Sequence, residues 1–167
     1  MANTYTQLHV QFVFAVQNRI SLIQPAWEEE MNKYITGIVK NHKHKMLAIN
    51  GIPDHVHLFV GLNPIQSISS LMQVVKGETS ECSPAYTLGR WVRRAGINKK
   101  GYVKGKFQWQ EGYGAFSYSK SQVNQVYKYI MNQKEHHKKR TFLDEYREIL
   151  KKFDIPFDEK YSCNAIE

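Results

Sequence analysis

Period-two alternation opens the chain. Leu8, Val10, Phe12, Phe14 and Val16 alternate with Gln7, His9, Gln11, Val13 and Ala15, the spacing of a long first strand. Pro25 then starts a helix to about residue 41, with Trp27, Met31, Tyr34, Ile35 and Ile38 as its apolar set. Residues 45–52 and 55–61 read as two strands joined by the turn signal Pro53-Asp54. A second helix is predicted over 68–79 and a fourth strand over 108–116, where Gly112 and Gly114 suggest a bulge. The order β-α-β-β-α-β is that of a ferredoxin-like core, an α+β fold with an antiparallel sheet. Two more helices follow it, over 120–138 and 142–153.

The chain has 167 residues, enough for one domain with a real core. We expect a single domain over 1–161 and a loose tail over 162–167. There are no internal repeats or low-complexity runs. Cys82 and Cys163 have no metal or disulfide spacing and read as free thiols of a reducing compartment. No stretch approaches the roughly 20 apolar residues of a membrane span, and Met1-Ala2-Asn3 opens no signal peptide. A cytoplasmic protein is the expectation.

Two constellations carry chemistry. His55 and His57 flank Val56 in the third strand, so both imidazoles project from one face, roughly 7 Å apart along the strand. Two such imidazoles are half of a metal site, and a histidine has little reason to enter an apolar strand without a partner. The simpler reading is a solvated face that binds nothing. The second constellation lies on the 120–138 segment, which has no Gly or Pro and can be capped by Ser119 or Ser121. At about 100° per residue, Tyr129, Gln133 and His136 share one stripe, at the rim of the apolar face formed by Val123, Val126 and Ile130. A tyrosine can attack a phosphodiester when a cation polarises the phosphate, and glutamine offers a neutral oxygen to a hard cation. By spacing alone, a rim tyrosine hydrogen-bonded to a glutamine is the simpler reading.

Charge points to a polyanionic partner. Lys and Arg number 23 against 15 acidic residues, a net charge of +8. Arg90, Arg93, Arg94, Lys99, Lys100, Lys104 and Lys106 cluster among glycines, with Tyr86, Trp91 and Tyr102 interleaved. Cations track phosphates, and aromatic faces stack on unpaired bases. Arg19, Arg90, Arg93, Arg94, Lys99 and Lys100 are the candidate DNA contacts.

Three motifs in order are Pro53-Asp54-His55-Val56-His57-Leu58-Phe59-Val60, then Trp109-Gln110-Glu111-Gly112-Tyr113-Gly114-Ala115-Phe116-Ser117, then Tyr129-Ile130-Met131-Asn132-Gln133-Lys134-Glu135-His136-His137. With them the chain resembles, over roughly residues 5–153, the IS200-like family: single-tyrosine HUH transposases of small insertion sequences that move as single-stranded DNA. The resemblance implies that His55, His57 and Gln133 bind a divalent metal, Mg²⁺ or Mn²⁺, and that Tyr129 becomes linked to a DNA 5′-phosphate. His136 is a possible auxiliary; no role is implied for His137. Expected partners are single-stranded DNA, the hairpins at element ends, and a second copy of the chain. A long uncharged first strand invites edge pairing, and the family resemblance implies that Tyr129 of one subunit can serve the histidines of the other. A non-cleaving DNA-binding relative and a metal hydrolase that uses water instead of Tyr129 are the alternative readings.

Overall fold

In a computed structural model, the chain is described over residues 5–20, 22–80, 83–87, 90–94 and 96–158, with backbone alone for 83–94. The elements are β1 (His9–Ala15), α1 (Pro25–Asn41), β2 (Lys45–Ile52), β3 (His55–Gly61), α2 (Ile68–Ser80), β4 (Ser83–Thr87), β5 (Arg90–Arg94), α3 (Ile97–Lys100), β6 (Gly114–Tyr118), α4 (Val123–Met131), α5 (Gln133–His136) and α6 (Phe142–Lys152). The main sheet has the order β2-β3-β1-β6, antiparallel throughout. This is the predicted α+β, ferredoxin-like arrangement. A separate β4–β5 hairpin and the short α3 are inserted between α2 and β6.

Both faces of the sheet are covered. Val10, Phe12, Phe14 and Val16 pack with Val56, Leu58 and Val60 beneath α1 and α2. On the other face Val13, Ala15 and Phe116 meet Phe142, Ile149 and Leu150 of α6. Ala48 and Phe59 meet Val126 and Ile130 of α4 there. That second cover explains why every residue of β1 is buried although its sequence alternates.

Three expectations are corrected. The last core strand begins at Gly114, not at 108: Trp109 makes only an isolated bridge to Val16, and Gly112 takes φ 78° in the loop before the strand. The 120–138 helix is broken into a 3-10 turn at Lys120–Gln122, α4 and α5, with the break at Asn132 (φ −95°, ψ 13°). Asn50 donates its side-chain amide to the carbonyls of Ile130 (3.0 Å) and Met131 (3.1 Å), giving partners to groups the break leaves without helical ones. Finally, β1 is not an edge. It lies between β3 and β6, so its ladder is complete on both sides and supplies no pairing surface for a dimer. The predicted tail at 162–167 lies outside the described residues.

The β2–β3 hairpin sets the site. Its two-residue turn, Pro53-Asp54, brings Ile52 opposite His55 and Asn50 opposite His57. A Cβ on Gly51 would lie 2.4 Å from the His55 carbonyl oxygen, so only glycine permits this approach.

Candidate active site

Strand pairing and burial fix the two histidines. His55 and His57 project to the α4/α6 face, and both are fully buried, so the solvated-face reading fails. Their ring centroids lie 5.1 Å apart. Each ring is oriented by a polar neighbour through Nδ1: His55 by the Asp54 carboxylate at 2.7 Å, His57 by the Gln11 amide at 2.9 Å. Gln11 in turn accepts from the Tyr118 hydroxyl at 3.0 Å. The Asp54 carboxylate can only accept, which sets the tautomer of His55 for ligation through Nε2, whereas the Gln11 amide nitrogen donates to His57.

The stripe read from sequence survives the helix break. Tyr129 of α4 reaches His57, with ring centroids 5.9 Å apart, within a single chain. Its hydroxyl donates to Glu145 Oε1. Gln133 donates to the same oxygen from 2.8 Å, and His136 Nε2 lies 3.6 Å from it. Lys134 ties α5 to α1 through Glu28 at 2.9 Å. Tyr127, two residues away, is exposed on the outer side of α4. Ser119 caps the preceding turn in a box with Gln122.

Glu145 is the residue the sequence reading missed. It belongs to α6, on the stripe Phe142, Glu145, Ile149, and is 1% exposed. A carboxylate at an apolar-stripe position was the available signal, because burying that charge costs several kcal/mol unless it is paired. Its Oε2 lies 3.5 Å from His55 Nε2, 3.3 Å from His57 Nε2 and 2.9 Å from His137 Nε2. Burial alone would raise its carboxyl, but the hydrogen bond to His137 and the nearby imidazoles of His55 and His57 hold it well below the usual carboxylate range. Burial pushes His57 down to about 4. Burial acts in the same direction on His55, but the hydrogen bond to Asp54 and the nearby Glu145 carboxylate outweigh it and raise this imidazole. Burial, then the Glu145 charge, pushes the Tyr129 phenol up.

The side chains fit a divalent cation. His55 Nε2, His57 Nε2 and Gln133 Oε1 are buried and have no hydrogen-bond partner. Among the described residues, His55, His57, His137 and Glu145 offer ligand atoms that all lie within 4.8 Å of one another. Beside them, a cleft of about 680 Å³ exposes Tyr129 between Tyr118, Gln125, Arg140 and Lys152.

The basic candidates are not gathered at this site. Lys99 and Lys100 are exposed on α3, which packs through Ile97 against the α1/α2 face. Lys100 is paired with Glu30 of α1. Arg19 is half-buried in the 3-10 turn after β1, with φ 52°, near the sheet end that carries His55. Arg90, Arg93 and Arg94 lie on β5, and their side chains fall outside what is described. No helix among the described residues is long and apolar enough to cross a membrane.

The strand order is that of a ferredoxin-like fold, with a buried histidine pair beside a tyrosine, and comparison with known proteins gives the family. The profile described as Transposase IS200 like matches residues 4–133. The chain belongs to this family and is a DNA transposase by membership. No curated protein sequence matches it. Its fold is similar to that of a Deinococcus radiodurans R1 protein assigned as a transposase, with TM-score 0.51 and 17% identity over 80% of this chain and 95% of that one. It is also similar to a REP-associated tyrosine transposase solved bound to a REP hairpin, with TM-score 0.55 and 14% identity over 82% of this chain and 73% of that one.

Proposed function

We propose that this transposase cleaves and rejoins single-stranded DNA through a 5′-phosphotyrosine on Tyr129, acting beside hairpins at element ends. The observation that carries this reading is the meeting, in one chain, of Tyr129 with the buried pair: its ring lies against His57, and its hydroxyl bonds to Glu145, whose other oxygen stands 3.3 Å and 3.5 Å from Nε2 of His57 and His55. His55, His57 and Gln133 would hold a divalent cation, Mg²⁺ or Mn²⁺, which when bound would polarise the scissile phosphate and lower the cost of a phenolate.

Tyr129 Oη is the nucleophile. Its proton leaves along the existing hydrogen bond toward Glu145 Oε1. As the bond from Oη to phosphorus forms, the bond from phosphorus to the 3′ oxygen breaks, and that oxygen leaves as a 3′-hydroxyl after taking up a proton. The phosphodiester is exchanged, not hydrolysed, so attack by another 3′-hydroxyl rejoins strands without a nucleotide cofactor. Asp54 and Gln11 hold the imidazoles in place, and Phe142, with its ring centroid 4.2 Å from that of His55, helps exclude water. Arg19, Arg90, Arg93, Arg94, Lys99 and Lys100 would track phosphates. The hairpin-bound neighbour of the same fold supports a hairpin as the recognised element.

The test is a single-stranded oligonucleotide carrying a hairpin, incubated with the protein and Mg²⁺ or Mn²⁺ and resolved on a denaturing gel. The expected result is a covalent protein–DNA adduct that Tyr129→Phe abolishes. Cleavage without an adduct would instead indicate hydrolysis by water, and binding without cleavage a DNA-binding role alone.

A further inference from the structure

We propose that His137 and Glu145 complete the cation site, so that it holds a transition cation such as Mn²⁺ through three imidazoles and a carboxylate. This rests on the reading of His55 and His57 as ligands and extends it. Both added residues lie beyond residue 133, where the match to the family profile ends.

The argument begins with protons. The Arg140 carbonyl can only accept, so His137 Nδ1, 3.0 Å from it, carries a hydrogen. The Asp54 carboxylate likewise accepts from His55 Nδ1. In the neutral tautomer each ring therefore presents the Nε2 lone pair to the inside. What it meets there is Glu145 Oε2, at 2.9 Å from His137 and 3.5 Å from His55. A ring nitrogen this close to a carboxylate oxygen needs a proton or a cation between them. One cation shared by all of them serves every pair at once.

Spacing agrees. Ligand atoms about 2.1 Å from a common ion stand about 3 Å apart when adjacent and about 4.2 Å apart when opposite. Glu145 Oε2 stands 2.9 Å, 3.3 Å and 3.5 Å from the three Nε2 atoms. The His55 and His137 ring centroids are 4.7 Å apart with the rings at 73°, so the third imidazole stands edge-on beside the first. His55 and His137 donate from Nδ1 to the Asp54 carboxylate and the Arg140 carbonyl, and a half-turn of the Gln11 amide, which exchanges its nitrogen and oxygen, lets His57 Nδ1 donate in the same way. Three imidazoles favour Mn²⁺ and later divalent ions over Mg²⁺. The division within Glu145 is then functional: Oε2 joins the cation site while Oε1 keeps Tyr129 and Gln133.

The experiment is Mn²⁺ binding to the full chain without DNA, followed by calorimetry and by pulsed EPR, which counts coordinated imidazole nitrogens. Circular dichroism melts establish that each variant is folded. Wild type should bind one Mn²⁺ with three imidazoles. His137→Ala should lower affinity by at least tenfold and reduce the count to two, and the less disruptive His137→Gln should do the same. Glu145→Gln should weaken binding with three imidazoles retained. Wild-type binding through two imidazoles, lost in His57→Ala and unchanged in His137→Ala, would overturn this assignment and leave the proposed function standing. Failure of wild type to bind Mn²⁺ with or without hairpin DNA would overturn both.

Discussion

Asn50 donates its side-chain amide to the carbonyl of Ile130 at 3.0 Å, fastening the end of the tyrosine helix to the strand beside His57. A second bond from the same amide reaches Met131 at 3.1 Å. Because Asn50 is the cross-strand partner of His57, one residue spaces the Tyr129 helix from the histidine pair. Asn50→Ala should cost about 1–2 kcal/mol from the two lost bonds. It should slow adduct formation by more than about tenfold, since small misplacements of a nucleophile are expensive, with hairpin affinity unchanged. Asn50→Asp should be worse, because a carboxylate cannot donate to carbonyls. Single-turnover adduct assays beside thermal melts check this; equal adduct rates in wild type and Asn50→Ala would remove the positioning role.

The two nearby tyrosines should separate cleanly. Tyr129 contacts Glu145 and His57, whereas Tyr127 is exposed. Tyr129→Phe should abolish the covalent adduct and keep the fold, and Tyr127→Phe should retain cleavage. Mass spectrometry of the trapped adduct reads the modified residue directly.

His55→Ala and His57→Ala should each abolish cleavage while hairpin binding persists, because in the proposed mechanism these side chains act on the scissile phosphate and not on the duplex. Gln133→Ala should cost less, since water can replace a neutral oxygen. Asp54→Ala, which releases His55 Nδ1, should weaken cation affinity by about 10–100-fold. Titration calorimetry of each variant ranks the four residues, and an Asp54→Ala protein with wild-type affinity would refute the orienting role.

Subunit mixing tests where the site is assembled. Tyr129 stands beside His57 of its own chain, so a mixture of His57→Ala and Tyr129→Phe proteins should stay inactive, each site carrying one defect. Recovered activity would mean that the tyrosine helix is exchanged between two copies. The case for a dimer no longer rests on β1, whose two edges are both paired.

The basic residues should differ in what they contribute to DNA affinity. Lys99 is exposed on α3, while Lys100 is engaged by Glu30. For a phosphate contact on single-stranded DNA, Lys99→Ala should reduce the slope of log affinity against log salt by about 0.7. Lys100→Ala should change it less, because its charge is already partly neutralised.

The order of the core elements, the hairpin carrying His55 and His57, and the stripe of Tyr129, Gln133 and His136 were legible in the sequence. Each is written locally: a period of two for strands, 3.6 for helices, and a turn dipeptide just before the strand that bears both histidines. The break at Asn132 was not legible, because the partner that satisfies the freed carbonyls is Asn50, eighty residues earlier. Nor was the start of β6, which pairing with β1 fixes at Gly114, opposite Val13. Glu145 and His137 gave no local sign of belonging with His55, since their common point exists only once α6 folds over the sheet. Local pattern determined which side chains could do chemistry. Long-range packing decided which of them meet, because burial of an anion is tolerated only where other elements bring it partners.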